Sequence, residues 1–173
     1  MAEEGTVPED IGVVYDRFFP RVYNYMRYRA ADRETADDLT SQVFEKVLAK
    51  LGSFKPERGP FEAWLFAVAR NVVNDHYRGF GWRRWLSLDA VADRPARESP
   101  PDAALVKDES LRSLQAALGR LDGREREILG LKFGAGLTNR AIAAMEALSE
   151  SNVGVVVFRA LKKLREELKG EAA

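Results

Sequence analysis

At 173 residues the chain has room for one full domain or two small ones, and 46% hydrophobic with 31% charged residues is an ordinary soluble balance. It has no cysteine, which excludes disulfides, thiolate metal sites and a Cys nucleophile, and its one histidine, His76, excludes a histidine-rich metal centre. Net charge is zero (27 basic, 27 acidic), so the chain as a whole is not a basic nucleic-acid binder, but its basic residues are unevenly placed. Residues 61–85 hold Arg70, Arg78, Arg83 and Arg84 against Glu62 and Asp75; residues 158–170 hold five bases against Glu166 and Glu167. The acidic opening MAEEGTVPEDIG has neither a basic n-region nor an apolar h-region, so no signal peptide is expected. No apolar run approaches the ~20 residues of a membrane helix, and a cytoplasmic protein with no membrane insertion is expected.

In chain order, Ile11, Val14, Tyr15, Phe18, Phe19, Val22, Tyr23 and Met26 recur at helical spacing and predict a first helix with a continuous apolar stripe. A second helix is predicted from about Thr35, capped by Thr35 and Asp38, with Leu39, Val43, Phe44, Val47, Leu48 and Leu51 inward. GSFKPERGP, residues 52–60, is a loop carrying Lys55 and Arg58. Pro60 suits the start of a third helix that buries Phe61, Trp64, Leu65, Val68, Ala69, Val72, Val73 and His76. From Leu86 to about Asp108 the periodicity fails, and Pro95, Pro100 and Pro101 among acidic residues predict an extended linker.

Order returns with Leu111, Leu114, Leu118 and Leu121. Asp122-Gly-Arg-Glu125 has capping-box spacing and opens a helix over Ile128, Leu129 and Phe133, which Gly134-Ala-Gly136 ends. Thr138 can cap a short helix over Ala141, Ile142 and Met145. Ser149 can cap a last one, with Val153, Val156, Val157, Ala160, Leu161, Leu164 and Leu168 as its apolar face. No segment alternates with period two. The predicted fold is therefore all-α: two small helical domains joined by an extended linker.

The two final helices, joined by a tight turn, read as a helix-turn-helix whose second member enters the major groove. Its remaining face carries Ser151, Asn152, Val155, Arg159, Lys162 and Lys163, amides and hydroxyls for base edges and cations for phosphates. A plain helical hairpin with a solvated face is the alternative. On the third helix Arg70, Asn71, Asn74 and Arg78 share one side, in a segment dense in aromatics (Phe61, Trp64, Phe66, Tyr77, Phe80, Trp82, Trp85). Guanidinium, amide and aromatic groups together suit single-stranded nucleic acid. Phe61 and Trp64 fall at core spacing, as does His76, which reads as structural. Asp75 is adjacent to His76 and so points about 100° away, too far round the helix to orient it as a base. Nothing resembles a catalytic, metal or cofactor site, and no enzyme, metal or cofactor is expected.

At these residues a resemblance emerges. DDLTSQVFEKVLAKLGSF with FEAWLFAVARNVVNDHYR resembles region 2 of the extracytoplasmic-function (ECF, group 4) sigma factors; LDGREREILGLKFGAGLTNRAIAAMEALSESNVGVVVFRALKKLREEL resembles their region 4. The resemblance implies region 2 over residues 9–85, a linker over 86–107 and region 4 over 108–170. It implies docking of Asp37, Asp38 and Gln42 on the β′ clamp helices of core RNA polymerase, and contact of Asn71 and Arg78 with the melted −10 strand, with Arg70 and Asn74 close by. The loop 53–59 would hold a flipped base, region 4 would read the −35 duplex and rest on the β flap, and an anti-sigma factor is an expected partner of a monomer.

Four departures stand out. Ser41 replaces a frequent Gln, Ala141 a common acidic residue, Glu146-Ala147 a usual apolar-glycine pair, and Gly154 a frequent base-contacting Lys or Arg. A helix-turn-helix regulator, or a sigma-like adaptor that binds protein without melting DNA, remains the competing reading.

Overall fold

A computed structural model of the chain describes residues 11–86 and 104–170, with side chains described for 11–79 and 111–170. Helices α1 (Ile11–Arg29), α2 (Arg33–Lys50) and α3 (Phe61–Leu86) form the N-terminal half, with two 3-10 turns, Leu51–Ser53 and Pro56–Arg58, between α2 and α3. Helices α4 (Ala104–Gly119), α5 (Gly123–Leu129), α6 (Asn139–Glu146) and α7 (Glu150–Gly170) form the C-terminal half. There is no strand among the described residues, in agreement with the all-α expectation. Helix is present at Leu86 and from Ala104, inside both ends of the segment expected to be linker, whose remaining residues 87–103 lie outside the description.

Local chemistry sets the helix starts. α2 begins two residues earlier than expected because Asp32, not Thr35, is the cap: its carboxylate accepts from the Thr35 N–H at 2.7 Å. The expected caps of the C-terminal half are all present. Asp122 and Glu125 form a reciprocal capping box, Thr138 accepts from the Ala141 N–H at 3.2 Å, and Ser149 from that of Asn152 at 3.1 Å. The helical run from Gly123 does end at Gly134, as expected, but its last turn, Gly130–Gly134, is π-helical.

That turn joins the two halves. Gly134 lies against the α1 backbone so closely that a Cβ on it would stand 2.8 Å from Tyr25 Cα, so only glycine permits this approach. One apolar core therefore runs through both halves, from Val14, Val22, Leu39, Leu65 and Val73 to Leu131, Ile142 and Val153. A smaller cluster of Ala117, Leu118, Leu121, Leu129, Ala160 and Leu164 ties α4, α5 and α7 together. The burial also corrects several expectations. Tyr15, Leu48, Leu111, Phe133, Leu161 and Leu168 are exposed, whereas Tyr25 and Phe66, outside the expected stripes, are fully buried. The cause is tertiary: α6 and the π turn cover a side of α1 and α3 that a separate three-helix bundle would leave to water.

Between the halves lies a buried polar cluster. The Tyr25 hydroxyl donates to Glu127 Oε1 at 2.7 Å, Arg29 Nε stands 3.0 Å from Glu127 Oε2, and Arg29 Nη1 donates to the Gly123 carbonyl at 2.9 Å. Burial pushes the Glu127 carboxyl up from its ordinary pKa despite Arg29, and burial beside Glu127 pushes the Tyr25 phenol well up.

Candidate nucleic-acid interface

The loop expected to hold a flipped base forms one wall of an open pocket of about 730 Å³. Lys50, Lys55 and Arg58 supply cations; Phe54 and Trp64 supply aromatic walls, their centroids 5.5 Å apart; Asn71 closes the α3 side. Two 3-10 turns and Gly59, at φ 139°, bend the chain back over α3. Phe54 and Phe61 are buried and anchor the loop, whereas Trp64 is only half-buried and so is both core and pocket wall. The pocket offers ring faces, cations and an amide edge, the groups that accept an unstacked base.

Asn71, Asn74 and Arg78 are exposed along α3, as the helical spacing predicts. Arg78 stands 3.7 Å from Asp75, a weak surface pair at 81% exposure of its side chain. Arg70 has another situation. Its Nη1 donates to the Met145 carbonyl at 3.1 Å, its Nη2 stands 3.0 Å from Glu146, and its Nε lies 3.9 Å from Glu127. Its charge is met by α5 and α6, so in this conformation Arg70 belongs to the contact between the halves. Glu146 supplies the carboxylate of that contact. The Phe80, Trp82 and Trp85 side chains lie outside the described residues. His76 is half-buried, edge-on to Tyr77 with centroids 5.2 Å apart, and Tyr77 donates its hydroxyl to the Arg29 carbonyl, both structural contacts.

α6 and α7 cross at 102°, within the helix-turn-helix range. The turn passes through Ala147, a non-glycine residue in the left-handed region at φ 52°. Ser151, Asn152, Val155, Arg159 and Lys162 are exposed on α7, as expected. Lys163 is exposed too, and its Nζ stands 2.5 Å from Glu125 Oε1, tying α7 to α5, a bond that raises its pKa. Sequence reasoning passed over Phe158. It is not on the apolar side of α7, and a search for polar readers does not select an aromatic, yet it is the most exposed large apolar side chain described, at 70%. Asp37, Asp38 and Gln42 all face outward on α2, beyond the buried Ala36, Leu39 and Val43.

Comparison with known proteins places both halves. The family profile for sigma-70 region 2 matches residues 14–83, and that for sigma-70 region 4 matches residues 117–166. The ECF RNA polymerase sigma factor BldN of Streptomyces coelicolor is 30% identical over 93% of this chain, which spans 61% of BldN. ShbA of Streptomyces griseus, another ECF sigma factor, is 33% identical over 77% of the chain and 71% of its own length. Among solved structures, the sigma factor RpoE of Bartonella quintana, in complex with the anti-sigma factor NepR, has a similar fold. Its TM-score is 0.71 at 24% identity, covering 93% of this chain and 98% of that one. CnrH, solved with the cytosolic domain of CnrY, gives a TM-score of 0.67 at 25% identity over 92% of this chain and 88% of its own. With a helical bundle matching region 2 and a helix-turn-helix matching region 4, in that order, this chain belongs to the ECF RNA polymerase sigma factors.

Proposed function

We propose that this sigma factor, of the group 4 kind, binds core RNA polymerase through Asp37, Asp38 and Gln42, captures the melted −10 strand on α3, and reads the −35 duplex with α7. The observation that carries the reading is the pocket between loop 53–59 and α3, where cations, two aromatic walls and Asn71 meet beside the exposed Asn74 and Arg78. A groove-binding regulator has no use for such a pocket, because stacked duplex bases do not enter one. Opening a pair costs a few kcal/mol, which stacking of the extruded base on the half-buried Trp64 helps offset, at about 1–3 kcal/mol per stacked base. Arg70 joins this surface only when α6 leaves α3, since a guanidinium neutralised by Glu146 is not also neutralising a phosphate. On this reading the chain is a cytoplasmic monomer outside the holoenzyme. An anti-sigma factor is its expected partner, as NepR is of RpoE in the structurally similar complex.

The test is reconstitution. The full chain added to core polymerase should start transcription at discrete promoters with a permanganate-reactive bubble. The Asp38→Lys, Gln42→Lys double variant should keep its helicity and lose co-purification with core. Undiminished core binding by that variant would remove the docking assignment.

A further inference from the structure

The −35 assignment of α7 says where the duplex lies, not which feature of a base pair is read. Resting on that assignment, the surface of α7 is specific about the chemistry. At 100° per residue, Ser151, Val155, Phe158 and Lys162 occupy an arc of about 60°, opposite the buried Val153, Ala160 and Leu164. The middle of the outward face is thus apolar, with Val155 43% and Phe158 70% exposed. Exposed Arg159, Arg165 and Lys169 border it, together with Lys162, which lies 4.0 Å from Glu166. A single exposed phenylalanine needs no explanation. Two apolar side chains at the centre of a recognition helix, with cations beside and beyond them, do.

We infer that Val155 and Phe158 read thymine 5-methyl groups in the major groove of the −35 duplex. The major-groove edges of G, C and A are donors and acceptors, and thymine alone adds an apolar group. Between Ser151 and Lys162, which end the arc, its centre has no polar side chain to meet a donor–acceptor pattern; Asn152 and Arg159 stand at its edge. An apolar side chain against guanine O6 and N7 or cytosine N4 strips water from those atoms and returns no hydrogen bond, which discriminates against them. Against thymine it covers a methyl group at no such cost. The border supports DNA as the occupant over a protein helix: the positions one, two and three turns beyond Phe158 are Lys162, Arg165 and Lys169, cations of the kind that contact backbone phosphates.

The experiment uses the holoenzyme made from the full chain and core polymerase. Its promoters are selected from duplexes randomised across the −35 region, and each −35 thymine of a selected promoter is then replaced by deoxyuridine, which removes only the methyl. Initiation should fall about fourfold for each methyl buried, the worth of one CH₂ group. Phe158→Ala or Val155→Ala should lower initiation on thymine DNA and erase the thymine-over-uracil ratio at one position. The salt slope should stay unchanged, since no charge is removed. Both side chains are exposed, so circular dichroism should not change. A wild-type holoenzyme indifferent to uracil at every −35 position overturns the inference while leaving the −35 assignment standing. So does a Phe158→Ala variant that keeps the full ratio, including one that loses only affinity for a protein partner. Failure to initiate on any selected duplex overturns the sigma-factor mechanism itself, and this inference with it.

Discussion

The outward faces of α3 and α7 both carry cations near the middle of a helix, yet their centres differ. On α3 the centre is amide and guanidinium (Asn71, Asn74, Arg78) beside an open aromatic pocket; on α7 it is Val155 and Phe158 on a convex surface. Concavity suits a base taken out of its stack, and an apolar convex ridge suits a groove whose bases stay paired. Net charge alone separates the two poorly. The shape and polarity of the central residues separate them well.

The largest expected effect falls on α3. Asn71→Ala with Arg78→Ala should lower open-complex formation about a hundredfold, from one base and one backbone contact at about 1–3 kcal/mol each. The variants should separate by kind, Arg78→Ala weakening all promoters alike and Asn71→Ala relaxing base preference at one −10 position. Permanganate footprints unchanged in both would make α3 no different from any solvated helix.

Next in size is a gain on α7. The Gly154 position is roomy, the nearest atom to an added Cβ being Asn139 Nδ2 at 3.9 Å. Gly154→Arg should add one phosphate contact, steepening the dependence of log K on log salt by about 0.9 in holoenzyme binding to a −35 duplex. An unchanged slope would place the phosphates elsewhere than beside Gly154.

A smaller effect tests the turn that aims α7. Ala147 holds a left-handed conformation that costs an L-residue roughly 1–2 kcal/mol, and glycine gives part of that back in unfolded-state entropy. Ala147→Gly should therefore stabilise the chain by about 1 kcal/mol in denaturant titration, without changing the thymine-over-uracil ratio.

The smallest effect concerns what ties the two faces together. Glu127 has a pKa raised by burial, so the folded state binds its proton at a pH where the unfolded chain has released it. Its contribution is fully present below the unfolded value and is lost as pH rises through the folded one. Relative to Glu127→Gln, the wild type should thus gain stability as pH is lowered from neutral toward the ordinary carboxylate range. A difference between the two proteins that stays flat with pH would mean that Glu127 is ionised on both sides of folding.

Much of this was legible in the sequence because it is local. Caps at Asp122, Thr138 and Ser149 act across three residues, and the helical period of α1, α3 and α7 repeats every four, so both read directly from spacing. The outward positions of Asn71, Asn74, Arg78, Asp38 and Gln42 follow from the same period. What tertiary structure alone decided depends on residues far apart in the chain. Tyr25 and Glu127 are 102 positions apart and Arg70 and Met145 are 75 apart. No periodicity foretells that a π turn with Gly134 will lie on the α1 backbone, or that the end of α6 will engage Arg70. Spacing sets Phe158 about 140° from Val153 on α7, off the apolar face, but does not say how far a large apolar side chain there stays exposed. α6 and the core between the halves cover the side of α7 that carries Val153 and leave Phe158 to water. Burial is a property of what packs against a helix, and the partner helices were fixed by contacts the local pattern does not contain.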